Sequence, residues 1–217
     1  ELFKNTISDE NDKNKIRFIT EDEYYQLDGG VQIHHGHQFD IINTINYKRL
    51  TLSDNLPEPV LNLPWGSYFV LHVLNSVIKE RPYIDHVKPF PLFLILSLIF
   101  DFRCAVKILS KVIYYFFKTR FTSSPTRRST IKRTLEILLR SIIIFPNLEE
   151  HAVKLFKKYP ELNCVIFGHT HNSKCRVYDE GKVYINIGSW LKIVNLDFEN
   201  LGPKFSMTFA LIEYYKD

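Results

Sequence analysis

The alternation of apolar and polar residues indicates strands in the first part of the chain. Short apolar runs predict strands at Ile16–Thr20 and Val31–His35, and the turn Asp28-Gly29-Gly30 directly precedes the second run. Residues 50–64 contain three prolines and two asparagines. Because these residues interrupt regular structure, the stretch predicts a linker and a domain boundary.

The middle of the chain has helical periodicity instead. From Trp65 to Phe145 apolar residues recur every three or four positions, which predicts at least three helices. The expected breaks between them lie near Pro82, Pro89–Pro91 and Thr122–Pro125. A further helix is predicted after Asn147, because Glu150 follows three residues later as in a capping box, and it should end before Pro160.

The tail of the chain returns to strand patterns. Runs at Asn163–Phe167, Lys174–Tyr178 and Lys182–Ile187 predict strands, and Asp179-Glu180-Gly181 predicts a hairpin turn between the last two. Phe205–Tyr214 predicts a final strand. Together these patterns predict an α/β protein whose strand-bearing ends flank an all-helical middle.

Composition narrows the class of protein without changing this layout. The chain has 217 residues, of which 45% are hydrophobic, an ordinary fraction for a globular protein with a sizeable core. Three cysteines are too few for a disulfide framework and favour a reducing compartment, so we expect a cytoplasmic protein. The chain opens without the apolar segment of a signal peptide. Its only methionine is Met207, which favours a chain that continues upstream.

Two short windows hold five of the eight histidines. The first contains His34, His35 and His37, and the second contains His169 and His171. Each window follows an apolar run that predicts a buried strand, so the imidazoles should lie at the carboxyl ends of strands, where open α/β sheets bind ligands. Neutral imidazole binds divalent transition metals well, and two imidazoles separated by one residue can reach adjacent ions.

The chemistry of such windows leaves more than one interpretation open. Gly168 is expected to let the backbone turn tightly before two ligands, and two metal ions roughly 3.5–4 Å apart can share a hydroxide that attacks phosphorus. A lone histidine after a strand is more often structural, which is the simpler interpretation of His34. The spacing of Cys164, His169, His171 and Cys175 also fits a structural zinc site, although the tight cysteine pair typical of such sites is absent.

The histidine windows resemble consecutive motifs of the calcineurin-like metallophosphoesterase superfamily. Gly168-His169-Thr170-His171 looks like the last motif, Gly-His-x-His, and Ile33-His34-His35-Gly36-His37 looks like the motif before it. Asn186-Ile187-Gly188-Ser189-Trp190 resembles the Asn-x-Gly-Ser segment that follows the last motif in many members. The order of the three segments and their strand contexts agree with the family.

Carried over by position, the resemblance implies a role for each side chain. His35 and His169 would bind one metal ion and His171 the second, while His37 would contact a phosphate oxygen. Asp40 would either orient a histidine ligand or cap a turn. The two divalent ions would be manganese, iron or zinc. The usual general acid and bridging aspartate belong to motifs upstream of these, which do not occur in the chain, so the catalytic residue stays unassigned.

The resemblance also divides the chain into two parts. Residues 1–62 and 146–217 would form the C-terminal half of a metallophosphoesterase-type β-sandwich flanked by helices. Residues 63–145 would be a helical insertion or lid. Some lipid-processing members, such as UDP-2,3-diacylglucosamine pyrophosphohydrolase, carry a helical insertion in the same place.

The expected insertion concentrates positive charge. Residues 103–140 carry ten basic side chains and one acid, which gives +9 within a chain of net charge +4. One narrow stripe of a helical wheel, bordered by apolar residues, contains Arg103, Lys107, Lys111 and Lys118. Either this stripe is a solvated face, or residues 90–140 face an anionic membrane surface. Nucleic acid is the less favoured partner, because the aromatic residues are contiguous rather than interleaved with the basic ones.

These observations lead to two functional hypotheses. The first is metal-dependent hydrolysis of a phosphoester or phosphoanhydride, by a two-metal centre acting on a phosphorylated substrate. The second is a non-catalytic protein of the same fold that serves as a binding module or scaffold. Either would be cytoplasmic, and peripheral to a membrane if the insertion binds lipid.

Overall fold

The structure is a computed structural model that describes residues 22–53, 57–88, 90–121, 147–196 and 201–215. The strand predicted at Ile16–Thr20 lies outside these ranges, as do the basic residues Arg127, Arg128, Lys132, Arg133 and Arg140.

A five-stranded sheet carries both histidine windows. Its strands are β1 (Tyr24–Leu27), β2 (Val31–His34), β6 (Cys164–Phe167), β7 (Ser173–Val177) and β8 (Val183–Ile187). They lie in the order β1-β2-β6-β8-β7, with β2, β6 and β8 parallel and the two outer strands antiparallel to their neighbours. Because β2 and β6 are parallel neighbours, their carboxyl ends meet at one edge, which we call the histidine edge.

One helix packs against this sheet. α4 (Leu148–Lys158) follows Asn147 and ends before Pro160, as predicted. Leu148, Ala152 and Phe156 recur every four residues and are buried, so they form one face of the helix. This face joins side chains of β6 and β8 in a core that contains Leu162, Val165, Phe167 and Tyr184.

The middle of the chain forms a second core of three helices. α1 is continuous through Trp65–Phe69, a π-helical segment Val70–Leu74 and Asn75–Val77. α2 spans Phe90–Phe100 and α3 spans Phe102–Phe121. Their buried side chains include Val73, Val77, Leu94, Ala105, Ile108 and Val112. The part of this region that the structure describes therefore contains helices, as periodicity predicts.

This middle region is not all-helical, which corrects the prediction. β5 (Val87–Lys88) pairs in parallel with β9 (Ile193–Asn195), which pairs with β10 (Gly202–Lys204). The predicted linker also contains a short hairpin of β3 (Thr51–Leu52) and β4 (Val60–Leu61). These strands have two or three residues each, too few for an alternating pattern to reveal them. The architecture is mixed α/β.

The final strand predicted at Phe205–Tyr214 is wrong. This segment contains no strand, although its large apolar side chains are exposed and alternate with less exposed residues. The alternation reflects an extended backbone, whereas a strand also needs a neighbour that bonds to its backbone. No described residue provides such a ladder.

Candidate functional site

The histidine edge brings His35 and His169 together. His35 directly follows β2, its carbonyl oxygen accepts a hydrogen bond from the Gly168 amide at 3.1 Å, and its ring centroid lies 5.1 Å from that of His169. Gly36 allows this approach. Its φ is 104°, and a Cβ there would lie 3.0 Å from Leu148 Cδ1 and 3.3 Å from His169 Cβ.

The second window turns through its histidines rather than through its glycine. His169 and His171 have φ values of 63° and 60°, in the left-handed region that most side chains avoid. Gly168 has no positive φ, and a Cβ on it would lie an ordinary 3.7 Å from the nearest atom. The expected reason for Gly168 is therefore wrong. Asn186 fixes the loop, because its Nδ2 donates to the Gly168 carbonyl and to Thr170 Oγ1, both at 3.0 Å.

Asp40 orients His169. Its Oδ2 accepts a hydrogen bond from His169 Nε2 at 2.9 Å, so Nδ1 of that ring is left for another partner. Asp40 is itself held by Asn43 Nδ2 at 2.8 Å and by the Ile42 amide at 3.0 Å. These bonds lower the pKa of the Asp40 carboxyl, although burial acts in the opposite direction and is the largest single influence. Of the two interpretations of Asp40, the contact with His169 agrees with the orienting role, and the Ile42 bond also closes a turn.

His37 lies beside His35 but has partners at both ring nitrogens. Its Nδ1 is 3.1 Å from His35 Nδ1, and its Nε2 is 3.1 Å from the Tyr47 hydroxyl. The side chain is buried. His37 can therefore meet a phosphate oxygen only if one of these hydrogen bonds is exchanged for the new contact.

His34 points to the face of the sheet that α4 covers. It is buried against Phe167, with ring centroids 5.1 Å apart, and its nitrogens lie 3.2 Å from Gln32 Oε1 and 2.8 Å from Gln38 Nε2. Burial lowers the pKa of His34 to about 4. Both nitrogens are satisfied by neighbouring amides, which agrees with the structural interpretation of this residue.

Burial favours the uncharged form of two imidazoles at the histidine edge, those of His35 and His171. The pKa of His35 is lowered to about 4, first by burial and then by the nearby His169, His37 and His171. The pKa of His171 is lowered by burial first, then by Lys88 and His169. Neutral imidazole is the form that binds metal ions, so the donor chemistry suits one.

The described side chains do not form a complete ligand set as they stand. No group of three or more histidine, cysteine, aspartate or glutamate side chains in the described ranges is arranged to hold an ion. Nitrogens of His35 and His169 instead bond to His37 and Asp40. Metal binding at this edge would therefore need these side chains to exchange partners.

The alternative structural zinc site is not formed. Cys164 opens β6, whereas His169 lies beyond the carboxyl end of the same strand. The two ends of this four-residue strand lie about 10 Å apart at about 3.3 Å per residue, so one ion cannot bind Cys164 together with a side chain beyond the far end. Cys164 and Cys175 are free thiols.

Two polar residues near the edge had no signal in the sequence. Tyr47 bonds to His37, and Lys88 lines the same cavity as His171. Tyr47 lies in a short 3-10 turn and Lys88 in a two-residue strand, outside both histidine windows. Only the folded chain brings them to the site.

The helical region presents a surface of mixed chemistry. Exposed apolar side chains surround the junction of α2 and α3, among them Ile99, Phe100 and Phe102. Of the four basic residues in the predicted stripe, Lys107 forms an ion pair with Glu80, and Lys118 lies over the rings of Tyr114 and Tyr115. Within the described ranges, no helix combines the length and the hydropathy needed to cross a bilayer.

Comparison with known proteins does not assign a family. No protein-family model matches the chain, no curated protein matches it, and no solved structure matches it. The metallophosphoesterase resemblance therefore rests on the motifs quoted above.

Proposed function

We propose that this chain supplies the imidazole ligands of a metal-dependent phosphoesterase centre at the histidine edge. The observation that carries the proposal is the parallel pairing of β2 with β6, which sets His35 beside His169. The five-stranded sheet would then be one layer of a metallophosphoesterase-type β-sandwich. The reaction would be hydrolysis of a phosphoester or phosphoanhydride.

The proposal gives each residue a defined part. His35 and His169 hold one divalent ion, and His171 contributes to the second. Asp40 keeps His169 in one orientation through its Nε2 and so leaves Nδ1 to the ion. Bound manganese, iron or zinc would supply a hydroxide nucleophile and neutralise charge on the phosphoryl group. Completing the centre requires oxygen ligands and a general acid that we do not assign to this chain.

A non-catalytic scaffold of the same fold is the second candidate. It is favoured by the lack of a preformed group of three ligands in the described ranges. The two candidates differ in whether metal binding is followed by turnover, so both can be tested on the same protein.

The test is titration calorimetry with manganese on the full-length native protein, which includes any oxygen ligand or general acid outside these residues. Turnover of a generic aryl phosphate is then measured in the same buffer. We expect His171→Ala to lower manganese affinity at least about tenfold and to remove any metal-dependent turnover, with unchanged thermal unfolding of the metal-free protein. The control is His72→Ala, because His72 is an exposed histidine that stacks on Tyr115 in the insertion. Manganese binding by the His171 variant at the wild-type level would contradict the ligand role, and binding without turnover would favour the scaffold.

A further inference from the structure

A cavity of about 440 Å³ lies between the three insertion helices and the histidine edge. This volume is within the range of small-molecule sites in proteins. The side of the cavity formed by the helical region is apolar and is lined by Phe69, Leu74, Ile84, Leu94, Leu109 and Val112. The lining also includes His171 and Asp40, so the cavity borders two residues of the candidate site.

The cavity is fixed to the site by close backbone packing. Gly66, at the start of α1, donates its amide to the Ile42 carbonyl at 3.0 Å. A Cβ on Gly66 would lie 2.0 Å from Asn43 Oδ1, so a larger residue would displace the Asn43 side chain that bonds to Asp40. The turn that carries Asp40 and Asn43 is therefore held against the helix that forms the apolar wall.

The ammonium group of Lys88 is a charge on the cavity wall that no close partner neutralises. The residue is half-buried, and its ammonium group makes no hydrogen bond or ion pair with any residue that the structure describes. Burial lowers the pKa of its ammonium group, and only the charge of Asp85 opposes that effect. A cation that is partly removed from water without a counter-ion is costly, and an anionic ligand would offset that cost.

Two other polar side chains on the cavity wall, those of Asp40 and His86, already have partners. Asp40 bonds to His169 and Asn43. His86 Nδ1 lies 2.7 Å from the Lys192 carbonyl, and its Nε2 lies 3.4 Å from Asp85. A ligand that enters the cavity would therefore meet a largely apolar surface on which the ammonium group of Lys88 and the imidazole of His171 are among the polar groups.

We propose that the cavity binds a phosphoester whose alcohol portion is apolar, with Lys88 as the residue that holds the phosphate. The apolar portion lies among the insertion helices, and the phosphate lies between Lys88 and the histidine edge. Hydrolysis of this phosphoester rests on the proposed function. The inference adds a substrate class and a specificity residue, which the histidine motifs do not provide.

The experiment measures binding to the metal-free protein, so it does not depend on turnover. Methyl phosphate, octyl phosphate and octanol are titrated by calorimetry below the concentration at which octyl phosphate aggregates. We expect octyl phosphate to bind at least about 100-fold more tightly than methyl phosphate, because seven additional methylene groups enter an apolar cavity. Equal affinity for the two phosphates would overturn the proposal.

Variants at position 88 test whether the positive charge of Lys88 holds the phosphate. Lys88→Met keeps an unbranched apolar stem without the charge, and we expect it to weaken octyl phosphate binding at least about tenfold while octanol binding is unchanged. Lys88→Arg should restore most of the affinity, and Lys192→Met, a change at an exposed lysine nearby, should have no effect. An unchanged affinity for octyl phosphate in the Lys88→Met variant would overturn the assignment of this residue.

The manganese titration of the His171→Ala variant separates failure of this inference from failure of the proposed function. If manganese binds through His171 but the octyl chain brings no gain in affinity, the metal site stands and the cavity assignment is wrong. If octyl phosphate binds in a Lys88-dependent way but manganese does not bind, the cavity assignment stands and the metal proposal is wrong.

Discussion

The candidate site is held by backbone conformations that few residue types adopt easily. His169 and His171 both lie in the left-handed region, which costs a residue with a side chain roughly 1–2 kcal/mol. Hydrogen bonds from Asn186 to Gly168 and Thr170 stabilise the loop that contains them. Strain of this kind is found most often where a side chain must be presented in one direction. Here it turns two imidazoles toward the same edge of the sheet.

Gly36 gives the first prediction. We expect Gly36→Ala to reduce the free energy of unfolding by about 2–4 kcal/mol. The new methyl group would enter the space occupied by Leu148 and His169, and the backbone conformation is unfavourable for alanine. Equilibrium denaturation in urea measures the change.

Gly181 provides a matched control for that prediction. It also has a positive φ, 72°, but a Cβ there would meet nothing within 4 Å. Gly181→Ala should therefore show only the backbone effect, about 1 kcal/mol. If the two substitutions destabilise the protein equally, close packing at Gly36 is not what requires a glycine.

At the scale of helices and strands, the sequence predicts an element well where the residues of that element themselves form a recognisable pattern. β2, β6, β7 and β8 were predicted to within one residue at each end. β2, β6 and β8 are rich in apolar residues, and the turn Asp179-Glu180-Gly181 marks where β7 ends and β8 begins. The break between α2 and α3 was not predicted, because no proline or glycine marks it. Asp101 ends one helix and begins the next, since its carboxylate accepts bonds from Arg81 Nε and the Cys104 amide.

The candidate site could likewise be predicted from the sequence only in part. The meeting of His35 with His169 could be predicted, because both follow strands and the carboxyl ends of parallel strands share an edge. The cavity that joins His171 to Lys88 could not, because its walls come from separate parts of the chain. Periodicity reports which face of an element is buried, but not which distant element covers it.

The attachment of α4 to β7 predicts a dependence of stability on pH. Glu149, in the first turn of α4, pairs with Lys174, lies 3.7 Å from Arg176 Nε and accepts a hydrogen bond from the Tyr178 hydroxyl at 3.1 Å. The bond to Lys174 is the main cause that lowers the Glu149 pKa below its ordinary value of 4.5. A lowered carboxyl pKa stabilises the fold above that ordinary value, and the stabilisation is lost as the pH falls through the folded-state pKa.

Glu149→Gln should therefore lower the melting temperature near neutral pH and have progressively less effect toward about pH 3. Because the pair is partly exposed, we expect the loss at neutral pH to be about 0.5–1 kcal/mol. The control is Glu161→Gln, since Glu161 is an exposed carboxylate without an ion pair in the described ranges. A constant difference between wild type and the Glu149 variant across this range would refute the ionic contribution.

α3 gives a prediction about membranes. Arg103, Lys111 and Lys118 remain without a carboxylate partner among the described residues, whereas Lys107 is neutralised by Glu80. Exposed apolar side chains, including Phe100 and Phe102, lie next to these charges, as an interfacial helix requires. Each basic residue near an anionic surface contributes about 1 kcal/mol, so three should raise vesicle affinity roughly 100-fold at low salt.

Liposome co-sedimentation with neutral and anionic vesicles tests this contribution. Changing Arg103, Lys111 and Lys118 to glutamate should remove the preference for anionic vesicles. The matched control makes the same change in charge at Lys154, Lys157 and Lys192, which are exposed and lie outside the helical region. If both triple variants bind like the wild type, the stripe is only a solvated face.

At the scale of the whole molecule, residues 205–215 form an extended segment that has no partner strand among the described residues. Residues 205–215 follow β10, and Phe205, Met207, Phe209 and Leu211 project from this segment with more than half of their surface exposed. The segment is held to the rest of the chain by a few contacts: Trp190 Nε1 donates to the Thr208 carbonyl at 2.9 Å, and the Tyr214 hydroxyl donates to the Asp28 carbonyl at 2.9 Å. An apolar row beside unpaired backbone groups is a surface that another extended chain can join.

We therefore expect copies of this chain to associate through this row. Sedimentation velocity should show an average mass that rises with protein concentration, because each copy offers the same apolar row and the same unpaired backbone to the next. The double variant Met207→Lys and Phe209→Lys should remain monomeric over the same range, since lysine charges on an unpaired strand oppose the approach of a second one. Its melting temperature should stay close to that of the wild type, because both side chains point into solvent.

Leu61→Lys combined with Leu201→Lys makes the same change at two exposed leucines outside the row and should leave association intact. Association that is equally strong in the row variant and in this control would show that the contact lies on another surface.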